Sequence, residues 1–211
     1  MSQVKKTKNG MWEVVKKKDN IMTKVTFKSR NKASNSKMEV PNIKNPNLPV
    51  EVEYSHEDYA EACARGLNLG RLRNSITKGQ SNVWGMLGEQ IVAKFTGAVL
   101  ANTYQYDLLT SNGKRLEVKT KKTTLTIPPK PHFECSVCEH NSTQDCDYYV
   151  FVRVSTNSNK AWICGQIEKH KLKQKARFFR AGDFDPRNNY RVHASCWNLN
   201  IAELEPVTNE L

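Results

Sequence analysis

Asp107-Leu108-Leu109-Thr110-Ser111-Asn112-Gly113-Lys114-Arg115-Leu116-Glu117-Val118-Lys119 decides how the centre of this chain folds, because its turn fixes which side chains share a face. Residues 104–109 read as one strand and 114–121 as the next, with a hairpin turn signal between them. A two-residue Asn112-Gly113 loop would pair Asp107 with Val118 and leave Glu117 on the opposite face. A three-residue loop with Gly113 in the left-handed position pairs Thr110 with Lys114, Leu108 with Leu116 and Asp107 with Glu117. That second register sets leucine against leucine on one face, and it is the one expected. On the other face it opposes two carboxylates, with Lys119 two residues on and pointing the same way.

Opposed like charges are destabilising unless something compensates them. A divalent cation does so, and carboxylate oxygens suit Mg²⁺ or Mn²⁺, which keep several waters and bridge to phosphate oxygens. Lys119 could then orient or deprotonate a water, or hold a phosphate. A surface hairpin with a Glu/Lys-rich face fits the same residues, so the pattern alone leaves both readings open. Upstream, residues 81–97 read as a helix with Ser81 or Asn82 as cap and Gly97 as terminator. Trp84, Leu87, Ile91 and Phe95 form its core stripe. Glu89 lies off that stripe among Gly85, Val92 and Ala93, mostly small neighbours that allow close approach to a strand pair.

With a helix acid (Glu89), a strand Asp (Asp107) and a strand Glu-x-Lys (Glu117, Lys119) in that order, the chain resembles the PD-(D/E)XK nuclease superfamily, the restriction-endonuclease-like fold, in its phage-encoded form. The likeness covers about residues 56–206. It includes Arg73-Asn74-Ser75-Ile76, Gly85-Met86-Leu87-Gly88-Glu89, Asp147-Tyr148-Tyr149-Val150-Phe151-Val152 and Gly182-Asp183-Phe184-Asp185-Pro186. Tyr106 stands where the family name has proline, a position that varies within the superfamily. The resemblance implies an α/β fold with a mixed central sheet flanked by helices, and Mg²⁺- or Mn²⁺-dependent hydrolysis of DNA phosphodiesters. It implies Asp107, Glu117 and the Val118 carbonyl as metal ligands, Glu89 completing the shell and Lys119 acting on the water. A non-catalytic nucleic-acid-binding protein, with a zinc knuckle on a degenerate nuclease fold, is the competing reading; the intact quartet argues against it.

The chain has 211 residues and a net charge of +12. Residues 1–48 hold twelve Lys/Arg against three Asp/Glu, a net +9, while the other 163 residues hold 21 against 18. Such a block reads as a phosphate-seeking arm ahead of a domain at 49–211. Within it, residues 11–15 and 21–27 alternate like a hairpin, followed by a polar linker. Trp12 and Phe27 could stack on bases or dock the hairpin onto the domain. Ser55-His56-Glu57-Asp58 is a capping box opening a helix to about Arg73. Arg65, Arg71, Arg73 and Lys78 ahead of the acids, and Lys121 and Lys122 after them, are the candidate DNA contacts. Further strands are expected near 148–155 and 161–167, with a short basic helix over 168–176.

Six cysteines without an apolar leader point to reduced thiols and a cytoplasmic setting, that of the host if the chain is phage-encoded. Cys135, Cys138, His140 and Cys146 could close a structural Zn²⁺ site. A rival set joins Cys135 and Cys138 to His193 and Cys196, and a third reading simply buries Cys135 on a strand. No run is long enough to span a membrane, and there is no Gly-x-Ser-x-Gly elbow or Gly-x-x-x-x-Gly-Lys loop. DNA is the expected partner and membranes are not; the oligomeric state, homodimer included, stays open.

Overall fold

The computed structural model describes the backbone of residues 2–6, 12–18 and 21–27, and residues 49–101 and 103–207 apart from 69–81. The chain divides into two compact units, Met1–Val40 and Pro41–Leu211. The first is an antiparallel sheet of β1 (Ser2–Lys6), β2 (Trp12–Lys18) and β3 (Ile21–Phe27), ordered β1-β2-β3. The expected hairpin is there, with Trp12 opposite Phe27 and Lys18 opposite Ile21. The polar β1 carries no alternating apolar pattern, and it adds a third strand that the sequence reading did not expect.

The second unit is mixed α/β. It begins with β4 (Val50–Glu53) and α1 (His56–Asn68). The capping box closes as expected: the Asp58 N–H donates to Ser55 Oγ at 3.1 Å and the Ser55 N–H to Asp58 Oδ2 at 2.8 Å. Next come α2 (Asn82–Thr96), β5 (Val99–Leu100), β6 (Leu108–Leu109), β7 (Arg115–Thr123) and β8 (Glu134–Cys138). After a 3₁₀ turn over Glu139–Thr143 follow β9 (Tyr148–Ser155), β10 (Lys160–Glu168) and the short basic α3 (Lys169–Lys175). The chain closes with β11 (Arg177–Phe179), β12 (Phe184–Asp185), β13 (Tyr190–Arg191) and β14 (Cys196–Asn200).

Six strands form the main sheet in the order β4-β10-β9-β7-β6-β5. All neighbours run antiparallel except β7 and β9, which are parallel from Leu116/Tyr148 to Thr123/Ser155. Both faces of the centre are covered, which suits the nearly unbroken apolar run of β9. On one face Leu116, Val118, Val150, Val152 and Val154 pack with Leu87, Ile91, Val92 and Phe95 of α2. On the other, Tyr149 and Phe151 meet Cys135, Val137, Leu172 and Leu199 from β8, α3 and β14. A second sheet, ordered β11-β14-β8, supplies part of that covering layer.

The decisive hairpin has the three-residue turn. Leu108 pairs with Leu116 and Leu109 with Arg115; the Thr110 N–H donates to the Lys114 carbonyl at 2.9 Å, and Gly113 has φ +82°. Both Leu108 and Leu116 are fully buried. Burying a leucine is worth about 1.5–3 kcal/mol, against about 0.2–1 kcal/mol for an unfavourable cross-strand charge pair, so the leucines set the register. The strand before the turn is much shorter than expected. Thr103 Oγ1 accepts from the N–H groups of Gln105 (3.3 Å) and Tyr106 (3.2 Å) and donates to the Tyr106 carbonyl (2.9 Å), closing a local turn over 103–106. Only Leu108–Leu109 remains extended.

Candidate active site

That early turn leaves one flank of β7 open. β6 pairs with β7 only at Arg115 and Leu116, so among the described residues no strand lies beside Glu117, Val118 and Lys119 on that side. The Val118 N–H, which would otherwise lack a partner, donates to Asp107 Oδ2 at 2.7 Å. Asp107's own N–H donates to the Leu116 carbonyl at 2.9 Å. Because the N–H and C=O of one strand residue point the same way, the Val118 carbonyl also faces this open flank. Asp107 is thus fixed against the backbone of the Glu-x-Lys stretch.

Glu117 and Lys119 lie on the face of β7 turned away from α2. Lys119 Nζ donates to Glu117 Oε1 at 2.6 Å. Gln144, in the loop before β9, bridges the two: its Nε2 donates to Glu117 Oε1 at 2.8 Å and its Oε1 accepts from Lys119 Nζ at 3.1 Å. The loop is tied down by Arg115, whose N–H and Nε donate to Asp147 Oδ2 at 2.8 and 3.2 Å, and by Lys169 Nζ, which donates to the Gln144 carbonyl. Gln144 Nε2 also reaches the Tyr104 carbonyl at 3.2 Å, linking this loop to the turn ahead of Asp107.

Glu89 comes from α2, which lies hard against β7. A Cβ at Gly88 would sit 2.0 Å from Thr120 Oγ1, so the close approach is made at Gly88, whereas Gly85 has open space beside it. Glu89 is buried and accepts from Arg65 Nη2 at 3.3 Å. Arg65, read in the sequence as part of a basic rim, is thereby committed to this acid.

The electrostatics join the three acids. Burial raises the Glu89 pKa to about 7, with the Glu117 charge adding to the rise and Arg65 opposing it. Burial likewise holds Asp107 well above the ordinary carboxyl range, helped by the charges of Glu117 and Glu89 and opposed by the Val118 N–H and Lys119. Glu117 Oε2 is buried with no hydrogen-bond partner among the described residues. Hard oxygen donors, a partnerless carboxylate oxygen and mutual repulsion all suit a divalent cation. Among the described residues, however, no three Asp, Glu, His or Cys side chains converge as direct ligands of one ion. Each acid instead has an oxygen engaged within the protein: Glu89 by Arg65, Asp107 by Val118, Glu117 by Lys119 and Gln144.

Of the basic candidates, Lys121 and Lys122 are exposed on opposite faces of β7 beyond Lys119, and Arg71, Arg73 and Lys78 lie outside the described residues. Neither cysteine set is gathered. Cys135 and Cys138 are three apart on β8 and therefore on opposite faces. Cys135 is buried beside Cys164, Cys146 is buried beside the Tyr149 hydroxyl, and Cys138 stands opposite Cys196. His140 sits in the 3₁₀ turn and His193 lies edge-on to the Tyr190 ring. Compared with protein-family models and with characterised proteins, the chain matches none. No helix among the described residues is long and apolar enough to cross a membrane.

Proposed function

We propose that this protein is a metal-dependent DNA nuclease that hydrolyses phosphodiester bonds at the Glu89, Asp107, Glu117 and Lys119 cluster. The observation that carries this reading is that the carboxyls of Glu89, Asp107 and Glu117, from α2, the turn before β6, and β7, lie near enough to raise one another's proton affinity, with Lys119 paired to Glu117 beside a flank of β7 that no strand covers among the described residues. A helix, an antiparallel β5-β6-β7 meander and a parallel neighbour β9 are in keeping with a restriction-endonuclease-like core.

Asp107, the free Oε2 of Glu117 and the Val118 carbonyl would hold Mg²⁺ or Mn²⁺, with Glu89 completing the set. Such an ion supplies charge neutralisation at the scissile phosphate and acidifies a bound water. Lys119 orients the attacking water and faces developing negative charge on the phosphate. Gln144 holds Lys119 and Glu117 in register with each other. Arg65 keeps Glu89 aimed toward β7.

The test is incubation of supercoiled plasmid, linear duplex and a four-way junction with purified protein in Mg²⁺, Mn²⁺ or EDTA. Cleavage that needs the cation and disappears in Asp107→Asn is expected. Binding to all three without cleavage in either metal would return the protein to the non-catalytic, nucleic-acid-binding reading.

A further inference from the structure

Outside the acid cluster, the covering sheet places two of the six cysteines face to face. β8 and β14 are antiparallel, with Cys138 opposite Cys196, Val137 opposite Trp197 and Cys135 opposite Leu199. One residue further on, the Glu139 N–H donates to the Ser195 carbonyl at 2.8 Å. Hydrogen-bonded and non-hydrogen-bonded pairs alternate along an antiparallel ladder, so Cys138 and Cys196 form a non-hydrogen-bonded pair. In such pairs the Cα atoms are about 4.5 Å apart and the side chains are at their closest. That separation falls inside the span a disulfide bridges, about 4.4–6.8 Å. Both residues carry free thiols and are half-buried, so a small reagent can reach them, and the Cys196 thiol donates only a weak bond to Asn198 Oδ1 at 3.3 Å.

The other neighbouring thiols differ. Cys135 and Cys164 lie side by side, but both are buried in the layer beneath the main sheet, with 5% and 6% of their surface exposed. A soluble oxidant meets the outer pair first.

We propose that Cys138 and Cys196 are an oxidation site, closing to a cross-strand disulfide when the protein meets a low-molecular-weight disulfide such as oxidised glutathione. Burial and the adjacent Cys138 push the Cys196 thiol up to about 11, so the Cys138 thiolate attacks a glutathione sulfur first, the glutathione S–S bond breaks, and one glutathione leaves as its thiolate. The second cysteine, losing its proton, attacks the mixed disulfide and displaces the other glutathione. The protein gives up two protons and two electrons, and the glutathione disulfide becomes two thiols. The new bond fixes the end of β8 from which the chain runs through the 3₁₀ turn to Gln144.

Full-length protein treated with oxidised glutathione, then denatured with an alkylating agent and digested, tests the site. The expected result is four alkylated cysteines and one linked peptide pair containing Cys138 and Cys196, reversed by dithiothreitol. Cys138→Ser or Cys196→Ser should each leave five alkylatable thiols after reduction and form no internal link. Six alkylated cysteines in the treated wild type, glutathione left on Cys138 or Cys196 in place of the link, or a Cys135–Cys164 link would each overturn the assignment. This assay reads no cleavage, so its outcome is independent of the nuclease proposal.

Discussion

Asp107 and Glu117 play unequal parts although the hairpin register opposes them. Asp107 is tied to the backbone through Val118, whereas Glu117 keeps one carboxylate oxygen without a hydrogen-bond partner among the described residues. Asp107→Asn can keep an oxygen on the Val118 N–H and lose only charge, so it should preserve folding while abolishing metal-dependent cleavage, by at least about 10²-fold. Glu117→Gln and Lys119→Ala should do the same, with DNA affinity largely retained because cations elsewhere carry it; plasmid cleavage beside a binding titration separates the two. Glu89 gives a prediction in pH. Its folded-state pKa of about 7 lies above its ordinary value of 4.5, so the folded protein binds the extra proton. The stability this contributes is complete below about pH 4.5 and is lost as pH rises through 7. Metal-free protein should therefore lose on the order of 1–3 kcal/mol across that window. Glu89→Gln should flatten the loss, and added Mg²⁺ should offset it, both read from urea unfolding midpoints against pH. Gln144 is where sequence reading has no purchase: it lies 27 residues from Glu117, in a loop without periodicity, and only the folded chain brings its amide to the acid.

Among the elements, those with a strong side-chain period were legible and those set by a local polar competitor were not. α2 fits its apolar stripe, with Leu87, Ile91 and Phe95 buried, and the hairpin register followed from two leucines and a left-handed glycine. The strand expected from Tyr104 was lost because the Thr103 hydroxyl binds its own neighbours' backbone, a choice that β-propensity does not register. The packing of α2 was half legible. Small residues near Glu89 signalled close approach, but Gly88 rather than Gly85 is the one that meets β7. Gly88→Ala would drive a methyl group into Thr120, where Oγ1 lies 2.0 Å from the new Cβ and the Thr120 Cβ 3.0 Å away. A destabilisation of about 1–3 kcal/mol is expected, together with loss of cleavage as Glu89 shifts away from Asp107 and Glu117. Adding Thr120→Ala removes the nearest atom and should restore part of both. Additive effects in this double-mutant cycle, measured by thermal or urea unfolding, would falsify the contact.

At the scale of the whole molecule, most of the charge and the proposed chemistry lie in different stretches of the chain. Residues 1–48 carry +9 of the +12 net charge, and the acid cluster with Arg65, Val118, Lys119 and Gln144 lies in the second unit. Each unit has its own strands. Deleting residues 1–48 should leave the 49–211 portion folded and able to cleave at low salt and saturating enzyme, because no member of the proposed quartet is removed. Its affinity for DNA should fall, and the dependence of affinity on salt should flatten by about 0.9 in log–log slope for every phosphate contact the arm had supplied. The measurement is the dissociation constant of one duplex over a salt series, full-length against truncated protein. Parallel lines would mean that the basic sheet meets some partner other than DNA. A truncated protein that fails to fold would mean that β1, β2 and β3 complete the core of the second unit. If the truncated protein folds, it retains Glu89, Asp107, Glu117 and Lys119, so its cleavage reports the site's chemistry while its salt slope reports the arm's role.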